Sequence, residues 1–300
     1  MHGVYGTPPS ELAAMPSEAV QCSVLIPGSA ALESFADGSL AGVTISTPRG
    51  TLERRYVIAH ALRALRPGAT FALLAHNKQG GTRLQSELSA FGCVAEEVSK
   101  QHHRICTGNR PNSLTGIEAA IADGAPRLVE ALGLWSQPGI FSWDRVDPGS
   151  ALLIGHLPAL AGCGADLGCG IGILSRALLA QAAVQHVTLI DIDRRAIEAA
   201  KRNVELMRST MLWADATTSK ALPANLDFVV MNPPFHDGGA EDQNLGRAFI
   251  AKAAGMLRKG GQCLMVANRH LPYEAAMTPL FSNVAQMVQA SGYKIYVTVK

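Results

Sequence analysis

Four consecutive residues of this chain have the types and spacing to do chemistry together. In "LDFVVMNPPFHDG" (226–238) an apolar run leads straight into Asn232, Pro233, Pro234 and Phe235. Proline lacks the N–H that a sheet ladder needs, so a buried strand must stop at Asn232 and a stiff loop must follow. The Asn232 amide oxygen and the Pro233 carbonyl are then two acceptors held on a backbone with little freedom. Phe235 adds a flat apolar face, and His236 is either a polar contact for a bound group or packing for the loop. A second stretch, "ADLGCGIG" (165–172), sets Asp166 ahead of Gly168, Gly170 and Gly172. Without Cβ atoms such a loop turns tightly and lets a ligand approach the backbone. A dinucleotide fingerprint would place its third glycine at 173, where this chain has Ile173, so the spacing argues against a pyrophosphate cradle. Two further acids, Asp191 and Asp215, end apolar runs downstream. A carboxylate at such a place can accept two hydroxyl or amino hydrogens.

These residues must be positioned by a regular frame, and the second half of the chain reads as one. Strands are expected at 163–168, 187–192, 210–215, 226–232 and 262–268. Helices are expected at 172–182, 194–207 and 244–261, the last stopped by Gly260 and Gly261. Asp193 immediately precedes the most periodic helix and suits its N-cap, which leaves Asp191 as the ligand-facing acid. Strands alternating with helices predict a parallel sheet covered on both faces. Two final β-runs around "SGY" (291–293) predict an antiparallel edge, giving a seven-stranded mixed sheet. All the acids and Asn232 then fall at the carboxyl edge, where such sheets bind ligands. Asp215 remains open to a second reading, as an ordinary turn residue.

"LRPGATFALLAHN" (65–77) and "LRKGGQCLMVANR" (257–269) share Leu-Arg-x-Gly and the punctuation that follows. Read as an internal repeat, this makes the first half a second α/β unit, one without a Gly-x-Gly-x-Gly loop. The expected domains are 1–130 and 131–300, joined through a Pro- and Gly-containing stretch near 124–146.

The glycine loop, the strand-end acids and Asn-Pro-Pro-Phe together resemble class I S-adenosylmethionine-dependent methyltransferases that modify amino groups of adenine, guanine or glutamine. "NPPFHDG", the later "VANRHLPY" (266–273) and "FSWDRVDPGSALL" (141–153) resemble the bacterial ribosomal-RNA guanine-N2 methyltransferases of the RsmC and RlmG type. That resemblance implies two tandem Rossmann-like methyltransferase domains, the N-terminal copy degenerate and concerned with folding and RNA contact. It implies S-adenosylmethionine as cofactor, in a pocket formed by Asp166, Gly168, Cys169, Gly170, Gly172, Asp191, Ile192, Asp215, Ala216 and Asn232. Asn232 through Phe235 would be catalytic, and Phe235, His236 and Arg269 would meet the substrate, although the residues themselves read Arg269 more readily as a solvated loop charge. Ribosomal RNA or a ribosomal subunit, the small one favoured, is the implied partner. An adenine-N6 or protein-glutamine methyltransferase is the alternative enzyme. A non-catalytic RNA-binding or assembly factor is the alternative from another class.

Composition sets outer bounds. The chain has 300 residues, is 48% hydrophobic and carries a net charge of +2. No stretch approaches the ~18 apolar residues of a membrane span. The N-terminus lacks the basic start and apolar run of a secretory signal. Six cysteines without a C-x-x-C pair suit a reducing cytoplasm and predict neither a disulfide framework nor a structural metal. Adjacent His102 and His103 are expected on opposite faces of a strand, without a ligand cluster. Residues 49–110 hold ten Lys/Arg against four Asp/Glu, a segment able to lie on RNA phosphates through residues such as Arg54, Arg55 and Arg63.

Overall fold

In the computed structural model, which describes residues 1–234, 236–237, 240–241 and 243–300, the chain divides into two compact units. One comprises Met1–Pro126 with Gln137–Gly139, the other Arg127–Ser136 with Ile140–Lys300.

The first unit contains β1 (His2–Tyr5), β2 (Val20–Gln21), β3 (Leu40–Ser46), α1 (Thr51–Ala64), β4 (Leu65–His76), α2 (Leu84–Ala90), β5 (Ala95–Lys100), β6 (His103–Asn109) and α3 (Ile117–Gly124). Its six strands run in the order β2-β1-β3-β4-β6-β5, the last two pairings antiparallel. Gln101 and His102 form the β5–β6 turn, both at positive φ, so His102 is a turn residue rather than a strand residue. His76, not predicted as a neighbour, comes within 5.3 Å of the His103 ring.

The second unit opens with a hairpin, β7 (Arg127–Val129) and β8 (Leu134–Ser136), and α4 (Pro148–Gly155). It continues through β9 (Gly162–Leu167), α5 (Ile173–Leu179), β10 (Val184–Asp191), α6 (Arg194–Asn203), β11 (Ser209–Trp213) and β12 (Leu226–Met231). A short hairpin follows, β13 (His236–Asp237) with β14 (Ala240–Glu241), then α7 (Gln243–Met256), β15 (Leu257–Asn268), α8 (Glu274–Met277), β16 (Asn283–Ala290) and β17 (Tyr293–Val299). The sheet order is β11-β10-β9-β12-β15-β17-β16, five parallel strands and an antiparallel edge, as the sequence predicts.

β12 explains how the sheet is held. Phe228 and Val230 pack into one apolar layer with residues of α5 and α6, while Val229 and Met231 pack into the opposite layer with residues of α7. A strand buried on both faces reads as an unbroken apolar run because each alternate side chain has its own core. All four are at most 1% exposed, and each contributes about 2 kcal/mol on burial.

The repeat is written into the pairing register. Leu226 pairs Leu257 and Phe228 pairs Gln262, with an irregular step between; Leu40 pairs Leu65 and Gly42 pairs Thr70, with the same step. The first sheet is therefore the second without a counterpart of β11. In this alignment Ser46, Thr47, Pro48 and Arg49 stand where the second unit has Asn232, Pro233, Pro234 and Phe235. One boundary differs from expectation: the helix predicted to reach residue 261 ends at Met256, and Leu257–Gly261 already belong to β15. The glycine pair serves the strand's irregularity rather than a helix stop. Similarly, α6 ends at Asn203, whose amide bonds the Trp135 backbone N–H and carbonyl and the Ile171 carbonyl at 2.8–2.9 Å instead of facing solvent along a longer helix.

Candidate active site

β9 and β12 are neighbours in the sheet, yet the chain proceeds from β9 through β10 to β11 on one side and from β12 to β15 on the other. This is a topological switch point, where two loops leave in opposite directions and open a crevice. Asp166 lies beside Val230, and continuing that register brings Gly168 level with Asn232. The two motifs singled out in the sequence thus meet at one edge.

Gly168, Gly170 and Gly172 all have positive φ, at 80°, 51° and 85°. Both Gly168 and Cys169 donate their N–H groups to the Ile190 carbonyl, tying the loop to β10. A Cβ on Gly172 would come within 3.2 Å of Ala200 and Val204, whereas one on Gly170 would meet nothing within 4 Å. One glycine serves packing; the other faces open space.

Asp166 is fully buried. Its Oδ2 accepts from the Ser175 N–H at 3.0 Å and hydroxyl at 2.6 Å, at the start of α5, and its Oδ1 has no partner among the described residues. Burial pushes its carboxyl up to about 7, against the pull of the Ser175 hydrogen bonds. Asp191 accepts from Gly170 N–H and from Asp193 N–H, both at 2.8 Å, and burial raises it to about 6. Its two oxygens together offer more acceptor positions than the backbone bonds use. Asp193 caps α6 and pairs with Arg195, in the role assigned to it from sequence.

Asp215 folds into its own turn. Its Oδ1 accepts from the Thr217 N–H and hydroxyl at 2.7 Å, and its Oδ2 from Thr218 at 2.9 Å. Burial pushes its carboxyl up, but these hydrogen bonds outweigh it and hold the group below the usual range.

Asn232 is half-buried, and its Nδ2 donates to Asp147 Oδ2 at 2.8 Å and Ser150 Oγ at 2.9 Å. Asp147 is the N-cap of α4, with Pro148 at the first helical position. Pro233 is buried and Pro234 exposed.

The crevice walls are Gly168, Cys169, Gly170, Ile171, Ile173 and Leu174 on one side. Phe141, Ser142, Asp147, Ser150 and Asn232 complete them. Phe141 is 62% exposed, and Ser142 beside it has a φ of 50°, a costly conformation for a serine. Asp191 reaches the crevice through Gly170. Ile192 (exposed), Asp215, Ala216 (buried) and Arg269 (exposed) are not among its walls. Phe235 lies outside the described residues, as does the side chain of His236. Cys169 is buried, its thiol driven well up by burial, and its Sγ donates to the Gly170 carbonyl, which suits a wall rather than a nucleophile. Among the described residues, no group of His, Cys, Asp or Glu is placed to hold a metal ion, and no helix is long and apolar enough to cross a membrane.

The family model described as "Methyltransferase small domain" matches residues 131–297, the stretch that contains every wall of this crevice. The chain belongs to that family. It is 33% identical over 267 residues to the Ribosomal RNA small subunit methyltransferase C of a Shewanella species (strain MR-4), covering 85% of this chain and 75% of that one. The protein of the same name from Shewanella pealeana is 28% identical over 263 residues, covering 86% and 77%. Among solved structures, "T. Thermophilus 16S rRNA N2 G1207 methyltransferase (RsmC) in complex with AdoMet and Guanosine" superposes with a TM-score of 0.82 at 24% identity, over 100% of this chain and 88% of that chain. The two-unit fold is therefore shared along the whole chain.

Among the crevice walls, Phe141, Ser142, Asp147, Ser150, Ile171, Ile173 and Leu174 are the residues to which sequence reasoning gave no role. "DPGS" (147–150) carried a signal, since Asp, Pro at the next position and Ser two further on are the marks of a capped helix start. Nothing local reveals that the same carboxylate receives Asn232 from 85 residues away.

Proposed function

We propose that this chain transfers a methyl group from S-adenosylmethionine to the exocyclic N2 amine of a guanine in small-subunit ribosomal RNA. The Shewanella relatives are named as small-subunit ribosomal RNA methyltransferases, and the name of the solved structure adds the guanine N2 and AdoMet. The observation on this chain that carries the reading is the pinned Asn232 amide facing the glycine loop across the switch point. The crevice suits the cofactor on three counts: open space at Gly170, acceptor capacity left on Asp191, and the unpartnered, buried Asp166 Oδ1. Asp166 holds the start of α5 and the loop, Asp191 serves the ribose hydroxyls, and Asp215 with Ala216 and Ile192 serves the adenine. When bound, the cofactor supplies an electrophilic methyl group on a sulfonium.

The guanine N2 lone pair is delocalised into the ring, which makes the amine planar and a weak nucleophile. Asn232 Oδ1 and the Pro233 carbonyl accept its two hydrogens, biasing the nitrogen towards tetrahedral geometry. Because the loop is stiff, these acceptors need no reorganisation at the moment of reaction. Phe235 and His236 hold the base flipped from its stack. In-line placement supplies much of the rate, and the proton leaves after transfer, so no strong base is required. The first unit contributes RNA contact, and the partner places the work in the cytoplasm.

Labelled-methyl transfer to unmodified ribosomal RNAs and subunits, followed by nucleoside analysis, tests this. N2-methylguanosine in small-subunit RNA is the expected product. N6-methyladenosine, or transfer to protein, would overturn the assignment.

A further inference from the structure

An asparagine amide left to itself turns end for end at small cost, because its terminal torsion is broad and two-fold. An acceptor that must meet an incoming amine therefore needs something to keep its oxygen outward. Asp147 and Ser150 are each 9% exposed, and between them they receive both N–H bonds of Asn232 at 2.8 and 2.9 Å. Asp147 Oδ2 simultaneously accepts the Ser150 backbone N–H at 2.8 Å. An ionised carboxylate has acceptors only, so the end of the amide beside it must be the NH2 end. Oδ1 is then on the far side, without a partner among the described residues.

Capping α4 alone does not call for a carboxylate, since serine, threonine or asparagine caps as well. On the reading of Asn232 as the amine acceptor, we infer that Asp147, assisted by Ser150, is a positioning residue for methyl transfer that fixes which end of the Asn232 amide meets the substrate. Donation into a buried carboxylate also polarises the amide and strengthens Oδ1 as an acceptor.

The test separates orientation from capping. Asp147→Ser keeps a cap oxygen on a side chain too short to hold Asn232. Its kcat should fall about 100-fold, as for a misplaced catalytic group, with the unfolding midpoint and the dissociation constant for S-adenosylmethionine unchanged. Asn232→Asp sets two carboxylates against each other and should lose activity to a similar degree. Adding Asp147→Asn to it reverses the pair, so that the new amide donates to the new carboxylate, and should recover at least about tenfold. Wild-type kcat in Asp147→Ser, a loss tracking a fall in unfolding midpoint, or no recovery in the reversed pair overturns the inference. Failure of the unaltered chain to methylate guanine N2, or full turnover by Asn232→Ala, overturns instead the reading on which it rests.

Discussion

Asn232 follows the end of β12, Asp166 lies in the neighbouring β9, and the two make opposite demands on a variant. On the proposed reading Asn232 offers an acceptor to substrate, so Asn232→Ala should lower turnover by about 100-fold or more, the scale of removing one preorganised partner. Affinity for S-adenosylmethionine should stay near wild type by calorimetry; equal loss of both would make Asn232 a cofactor residue. Asp166 bears on how stability depends on pH. Its carboxyl stands at about 7 and that of Asp191 at about 6 in the folded chain, against about 3.9 unfolded. Between roughly pH 4 and 7 the folded state holds protons that the unfolded state has released, so this contribution to stability is lost as pH rises through that window. The urea midpoint should therefore drop from pH 5 to pH 8, and Asp166→Asn should flatten the slope. A wild-type midpoint that rises over the same range would refute the assignment.

At the scale of elements, the glycine loop divides into packing and access. Gly172→Ala meets both a positive φ and neighbours at 3.2 Å, and should cost about 1–3 kcal/mol on chemical denaturation. Gly170→Ala meets only the backbone penalty, about 1 kcal/mol, while placing a methyl in the crevice. It should weaken cofactor binding more than it weakens the fold. Equal effects of the two on both measurements would dissolve the distinction. This loop, the strand-end acids and the Asp193 cap were all legible in the sequence, because each depends on residues within one turn of chain. The start of β15 at Leu257 was not, since Gly260 and Gly261 end a helix or accommodate an irregular strand equally well. Nor was the Asp147–Asn232 bond, which only the meeting of α4 with β12 creates.

For the whole molecule, the count of ten basic residues in 49–110 overstated the surface available to RNA. Arg54 is 0% exposed and makes a two-pronged bond to Glu87 at 2.6 and 2.8 Å, with a further bond to the Arg49 carbonyl. It is a strut of the first unit, so its inclusion among the phosphate-contacting residues is corrected. Arg63 pairs with Asp37, Arg104 with Glu97, and Arg110 binds the Leu62 carbonyl. Charge summed along a chain cannot see partners 33 residues away. Arg54→Ala should cost about 3–5 kcal/mol by stranding a buried Glu87. Arg49, Arg66 and Lys78 are exposed and have no ion pair among the described residues. Replacing these three by alanine should leave stability unchanged and reduce the salt dependence of RNA binding by about two to three phosphate contacts. An unchanged salt slope would remove the first unit's exposed cations from RNA binding.

The order Asn232-Pro233 has a consequence for how the protein ages. Asparagine side chains deamidate chiefly when the next residue's backbone nitrogen, having lost its hydrogen, attacks the side-chain carbonyl and closes a five-membered imide. Pro233 has no such hydrogen to lose. The one amide whose conversion to aspartate would set a second negative charge against Asp147 is thus closed to that route by the residue that stiffens it. Prolonged warm storage should hydrolyse exposed asparagines elsewhere in the chain before it reaches this one.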